Sequence, residues 1–239
     1  MIIIPARLNS SRFENKILVD ILGLPMVIRT AKRVESLDEV VIATDSTDVL
    51  KLAKQHNIRA VLTSTSHQSG TDRINEAINI LNLKDDEVII NVQADEPFIE
   101  PEVVQSIINR VKDLKDEAFT MVSCYKEINS QNADDPNHVK VICDESDNAI
   151  YFSRSKIPYH RDHYDDTLYK GHLGIYGFTK KSLNTFCSLP SSMLESTEKL
   201  EQLRAISNGK KINMVKVKSK SFGIDTKEDL EQALKLFSN

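Results

Sequence analysis

A chain of 239 residues with 40% apolar side chains is long enough to bury a core of its own, and a net charge of −4 with 28% charged residues argues against general affinity for nucleic acid. Cys124, Cys143 and Cys187 show no CxxC spacing, which argues against a zinc knuckle or a disulfide framework. No apolar run reaches 18 residues and no basic leader precedes the first strand, so a cytoplasmic protein with no membrane partner is expected.

In chain order, "IIIP" (2–5), "EVVIAT" (39–44), "RAVLT" (59–63) and "EVIINVQ" (87–93) are short, continuous and β-branched. That pattern predicts parallel strands covered on both faces. Segments of helical period lie between them. One runs from Pro25 to Glu35, one from a cap at Asp45 or Ser46 to His56, one from Thr71 to Leu81, and one over 101–113. A β-α-β-α series predicts an α/β fold with a mostly parallel central sheet and helices on both faces. The second half is less regular. "FTMVSCY" (119–125), a hairpin of "VKVICD" (139–144) with "AIYFSR" (149–154), "HLGIYGFT" (172–179) and "INMVKV" (212–217) read as strands, with helices over about 195–207 and 226–237. No Pro-, Gly- or Ser-rich linker interrupts the chain. A single domain over 1–239 with an inserted β subregion at an edge of the sheet is the simplest expectation.

Ligands of open α/β sheets bind beyond the carboxyl ends of the strands. Arg7, Arg12 and Lys16 follow the first strand, Asp45 the second, and Gln93, Asp95 and Glu96 the fourth. Cations and carboxylates at converging loops are either structural ion pairs or the holder of a metal-bound polyphosphate, in which Mg²⁺ bridges carboxylates to phosphate and Arg and Lys take the remaining oxygens. Neither GxxxxGK[ST] nor GxGxxG occurs, so the cradle for an anion has to be the 6–16 loop itself.

Seven stretches in order, "IIPAR…S.R…K", "HQSGTDR" (67–73), "NVQADEP" (91–97), "YFSR" (151–154), "HLGIYG" (172–177), "LEQLR" (200–204) and "GIDTKEDL" (223–230), resemble the 3-deoxy-manno-octulosonate (Kdo) cytidylyltransferases. The resemblance implies a Rossmann-like nucleotidyltransferase fold that joins CTP to Kdo, giving CMP-Kdo and pyrophosphate for lipopolysaccharide assembly. It also implies Mg²⁺ dependence and a homodimer, with the hairpin-rich region at about 119–170 as the dimer contact. By the same resemblance, Arg7, Arg12 and Lys16 hold the triphosphate and Asp95 and Asp225 are metal ligands. Ala6, Gln68, Ser69, Gly70 and Arg73 join the nucleotide site. Gln93, Arg154, His172, Tyr176, Glu201 and Gln202 form the sugar site, with Glu201 and Gln202 expected on the 195–207 helix. Without the resemblance, Arg73 reads as a surface arginine and Asp225 as part of a helix cap, since Thr226 and Asp229 form a capping-box-like pair.

The chain departs from the family pattern at several positions. "FENK" stands where the family has Leu-Pro-Gly-Lys, so Asn15 replaces a glycine and Glu14 adds a negative charge. Asn is the non-glycine residue best able to enter the left-handed region, which would preserve the bend. Ala94 stands where the family has Gly, Ser196 where it often has His, and Lys227 where it often has Pro. Rival readings are activation of 8-amino-Kdo or an N-acylneuraminate, and a non-catalytic nucleotide-binding regulator of the same fold.

Overall fold

The computed structural model describes residues 1–8, 13–67, 69–162 and 168–237. The chain divides into two compact units, residues 1–105 with 219–239, and residues 106–218. The second unit is larger than the β subregion expected from sequence, and no composition shift marks its limits.

In the first unit β1 (Ile2–Ala6) is followed by a single 3₁₀ turn, Lys16–Leu18, and a two-residue hairpin of β2 (Asp20–Ile21) and β3 (Leu24–Pro25). Then come α1 (Met26–Val34), β4 (Val40–Thr44), α2 (Thr47–Gln55), β5 (Arg59–Leu62), α3 (Gly70–Ile80) and β6 (Val88–Asn91). The expected strands are all present. Their β-branched side chains on β1 and β4, with Ile89 and Ile90 of β6, are buried because helices cover the parallel strands. β1 pairs in parallel with β4 from Ile2↔Val40 to Ala6↔Thr44 and with β6 at Ile2↔Ile90, while β4 pairs with β5. The order β6-β1-β4-β5 makes β1 the strand at which the winding reverses, so the loops after β1 and β6 part above a crevice.

Local chemistry fixes the helix starts. Ser46 caps α2 by accepting from the amides of Asp48 and Val49. Ser69 caps α3 by accepting from Asp72 N. The small β2–β3 hairpin, not expected from sequence, turns at Leu22 and Gly23, both at positive φ.

α4 (Pro101–Leu114) leads into the second unit. There β7 (Met121–Ile128) precedes the short α5 (Ser130–Asp134), and β8 (Lys140–Cys143) and β9 (Ala149–Ser153) form the expected hairpin. β10 (Tyr169–Thr179) pairs antiparallel with β7, and β11 (Asn213–Lys216) pairs parallel with β7. The helices are α6 (Lys180–Ser188), α7 (Met193–Glu198) and α8 (Leu203–Ser207). The helix expected over 195–207 is therefore two helices. A capping box of Ser192 and Glu195 starts the first early, and Lys199 ends it in the left-handed conformation at φ 54°.

The chain finishes in the first unit with α9 (Lys227–Phe237). α9 is held by an apolar cluster of Ile21, Met26, Phe98, Ile224 and Ala233, with Leu230, Leu234 and Phe237 packed on it. Phe98 stacks on Phe237 with centroids 4.4 Å apart. We expect Phe98→Ala to lower unfolding free energy by about 3 kcal/mol, read by denaturant titration, and to loosen α9 first, read by hydrogen exchange of its amides.

Candidate active site

The first cluster lies at the ends of β1 and β6. Asn15 sits at φ 53°, ψ 27°, in the left-handed region that glycine and asparagine enter most readily. The next residue, Lys16, enters the interior. Its Nζ donates to Asp95 Oδ2 at 2.6 Å and to Asp225 Oδ1 at 2.7 Å. The three side chains are 10%, 26% and 42% exposed, so the ammonium is enclosed and the carboxylates open outward. Burial alone would lower the pKa of Lys16, but the charges and hydrogen bonds of Asp95 and Asp225 outweigh it and hold the pKa above the usual lysine value. Lys16 is thus a fixed cation, and the trio carries one net negative charge.

Asp95 and Asp225 are 130 residues apart in sequence, and backbone pairing brings them together. Ile224 N donates to Asp95 O at 2.9 Å. Ser221 Oγ donates to Glu96 Oε2, and Ser219 Oγ and Lys220 N donate to Glu100. Thr226 and Asp229 make the reciprocal cap anticipated from sequence, and Asp229 also accepts from Asp225 N. Gly223 lies against the Asp95 carboxylate, where an added Cβ would meet it at 3.9 Å.

Beside this cluster, Arg7, Leu8, Asp45, Ser46, Thr65, His67 and Arg73 line a cleft of about 380 Å³. Ala6 is the buried last residue of β1, and Arg7 is exposed directly after it. Arg73, which reads from sequence alone as a surface residue, is buried. Its guanidinium donates to Asp45 at 2.8 Å, to Thr63 Oγ1 at 2.6 Å and to Ser64 O at 3.3 Å, and so ties α3 to the loops after β4 and β5. Asp45 also accepts from Leu8 N at 3.3 Å. Ser69 is occupied as a cap, and Gly70 lets α3 approach β1, since a Cβ there would stand 3.0 Å from Pro5 Cγ. Gln93 donates to Asn91 Oδ1 at 2.9 Å. Arg12 and Gln68 lie outside the described residues.

The departures from the family pattern are accommodated. Glu14 is exposed, and Lys16 pairs with the two aspartates instead. Ala94 lies outside the positive-φ positions, so its methyl group brings no backbone strain, and its carbonyl accepts from Thr30 Oγ1. Ser196 and Lys227 are exposed.

The second cluster belongs to the second unit. His172 and Tyr176, expected on one face of a strand, have ring centroids 5.6 Å apart, and Phe152 meets His172 edge-on. Burial pushes the His172 pKa down to about 3, so the imidazole is neutral. Burial and the nearby charge of Glu201 raise that of Tyr176. Glu201 and Gln202 lie on the turn between α7 and α8, not on a helix, because Lys199 breaks the helix before them. The buried Nε2 of Gln202 has no hydrogen-bond partner among the described residues. A buried donor left unpaired is costly in a finished core, and it suits a site awaiting an acceptor. Arg154, in contrast, is engaged. Its Nε donates to Glu198 O and its guanidinium to Pro136 O, while Glu198 accepts from Ser153 Oγ and Arg154 N.

Sequence reading missed two supports. Lys140 is fully buried and donates to the carbonyls of Asp135 and Arg154, joining α5, β8 and the end of β9. Arg204 grips Glu195 with contacts of 2.6–3.1 Å and clasps α8 to α7 around the Glu201–Gln202 turn. Only the S-x-x-E spacing of Ser192 and Glu195 signalled the latter.

A parallel α/β unit with a caged lysine and two outward carboxylates at its winding reversal has the makings of a nucleotide-transferring enzyme. A cytidylyltransferase family profile matches residues 1–212. A 3-deoxy-manno-octulosonate cytidylyltransferase of Wolinella succinogenes is 53% identical over 243 residues, covering 100% of both chains, and that of a Nitratiruptor species is 55% identical over 97% of each. The solved structure of a CMP:2-keto-3-deoxy-manno-octonic acid synthetase complexed with CTP superposes with a TM-score of 0.91 at 36% identity, covering 99% of this chain and 97% of that one. The chain belongs to the 3-deoxy-manno-octulosonate cytidylyltransferase family.

The clasp around the Glu201–Gln202 turn has a pH signature. Burial would raise the Glu195 pKa, but Arg204, Ser191 and Ser192 prevail and hold it below the ordinary 4.5. Its contribution is complete above the unfolded value and is lost as pH falls through the folded one. We expect Glu195→Gln to lower stability near neutrality by about 3 kcal/mol and to flatten the acid side of the stability profile, measured by melting between pH 7 and pH 3.

Proposed function

We propose that the chain joins CTP to Kdo, with release of pyrophosphate, as its relatives are named for doing. The single observation that carries this is the pairing of Lys16 with both Asp95 and Asp225 at 2.6 and 2.7 Å. A hydroxyl oxygen on the anomeric carbon of Kdo attacks the α-phosphorus of CTP. The bond from that phosphorus to the bridging oxygen breaks, pyrophosphate leaves, and the hydroxyl proton is lost to solvent. Such chemistry needs mainly positioning and charge stabilisation.

Arg7, with Arg12, holds phosphate oxygens, and Lys16 neutralises charge at the α-phosphate. The cleft between Arg7, Asp45 and His67 takes the nucleoside, and Ser69, Gly70 and Gln68 are its further contacts by the family likeness. Arg73 keeps that wall in shape by holding Asp45. Two partly open carboxylates fit Mg²⁺, which takes one or two carboxylates and fills its other positions with phosphate and water. Asp95 and Asp225 would hold it, and it would neutralise the triphosphate. Lys16 keeps the two carboxylates close before any ion arrives.

On the sugar side, Gln202 offers a donor and the neutral His172 an acceptor or donor to a polyhydroxylated acid, with Tyr176 and Glu201 as further partners. Arg154 is best read as a support, since its guanidinium holds the α7 end. The product supplies lipopolysaccharide assembly. A cytoplasmic homodimer completes the proposal. Exposed Ile150, Tyr159 and Leu168 in the second unit support a contact between copies there.

Pyrophosphate release from CTP and Mg²⁺ with Kdo is expected. N-acetylneuraminate is expected to give none, and 8-amino-Kdo in a third arm reports on the nearest rival. Asp95→Ala should cut turnover by about 10²-fold or more while its circular dichroism and melting stay cooperative, because Lys16 retains Asp225. Failure of every acidic sugar to release pyrophosphate would favour the regulator.

A further inference from the structure

β10 leaves regular pairing at one place. Leu173 pairs with Cys124 and Tyr176 with Ser123, so Gly174 and Ile175 form a bulge. A bulge removes carbonyls from the ladder, and they must find other donors. The carbonyls of Ile175 and Leu173 lie 2.8 and 3.3 Å from Ser123 Oγ, and Ser123 is fully buried. His172 Nε2 lies 2.8 Å from the same oxygen.

The hydrogens can be assigned by elimination. A serine hydroxyl has one proton, and a carbonyl only accepts. The proton therefore goes to the freed carbonyls, and Ser123 Oγ accepts from His172 Nε2–H. The opposite tautomer would turn the hydroxyl proton onto Nε2. It would set a lone pair of the hydroxyl against the Ile175 carbonyl oxygen at 2.8 Å, acceptor facing acceptor. A neutral imidazole carries one N–H, so Nδ1 is a bare acceptor, and it bonds to none of the described residues. The depressed His172 pKa agrees with a neutral ring. The unpaired Nε2 of Gln202 is of opposite polarity.

We propose that Ser123 is a positioning residue for the sugar acid: it fixes His172 as the Nε2–H tautomer, and Nδ1 then accepts a hydrogen bond from a substrate hydroxyl. This rests on the reading of His172 as a sugar contact. A ring of the other tautomer would present a donor, which a hydroxyl oxygen or the sugar carboxylate would meet, so the tautomer decides which group of the sugar lies there.

The test is ¹⁵N spectroscopy of the full chain with labelled histidine, the His172 signals being assigned by their loss in His172→Gln. In the free protein Nδ1 is expected at the unprotonated position and Nε2 at the protonated one. Saturating Kdo is expected to move Nδ1 toward the hydrogen-bonded range and to leave the Nε2 proton in place. A proton on Nδ1, or an Nδ1 signal that ignores Kdo while other signals respond, overturns the proposal. Ser123→Ala should give mixed tautomers and raise KM for Kdo about fivefold, with KM for CTP unchanged. Ser123→Thr, which keeps the hydroxyl, should restore the single tautomer. A single Nε2–H tautomer with unchanged KM in Ser123→Ala would also overturn it. Should Ser123→Ala fail to fold, the wild-type spectra decide. No response to Kdo anywhere, with no pyrophosphate released, would instead defeat the proposed function.

Discussion

One ammonium shared by two carboxylates organises this protein. Lys16 follows β1, Asp95 follows β6, and Asp225 precedes α9, and all three meet at hydrogen-bond distance. An isolated buried charge is expensive, and a lysine this enclosed is tolerable only because two partners face it. The same arrangement leaves an excess of negative charge on the open side. A cation bringing its own phosphates can use that excess, whereas a purely structural ion pair would be balanced and closed.

The surroundings are built to keep this trio in register. The left-handed Asn15 turns the chain so that Lys16 points inward. Ser219, Lys220, Ser221 and Ile224 hold the segment before Asp225 to the loop of Asp95, and the stack of Phe98 on Phe237 secures the helix that follows. In the second unit, Lys140, Glu198 and Arg204 do similar work for the turn of Glu201 and Gln202. Polar side chains bound to backbone groups, more than apolar contacts, set the loops of both clusters.

Much of this was legible in the sequence. Runs such as "EVVIAT" allow little but a covered strand, and the convergence of Lys16 with Asp95 and Asp225 followed from strand ends and a family likeness. Ser46, Thr226 and Asp229 announced their caps. What stayed hidden depends on tertiary context. Lys199 gives no local sign that it will take a left-handed turn, so one helix was read where two exist. The bulge at Gly174 and Ile175 is invisible until β7 sets the register. One of the two division points, between Gln105 and Ser106, falls inside helix α4, past its opening Pro101, where no glycine or proline marks it. Arg73 looked like a solvent residue because its partners, Asp45 and Thr63, lie on other strands' loops.

The first unit is discontinuous, with residues 106–218 intervening before its last segment. During synthesis Lys16 and Asp95 are therefore made long before Asp225, and the apolar seat of α9 stays open until that helix leaves the ribosome. A nascent or truncated chain has every strand of the parallel sheet yet only half of its carboxylate pair. Completion of the Lys16 cage and closure of the first hydrophobic core thus arrive together, late in translation, and a partial product would be marked by exposed Ile21, Met26 and Phe98 for the quality-control machinery.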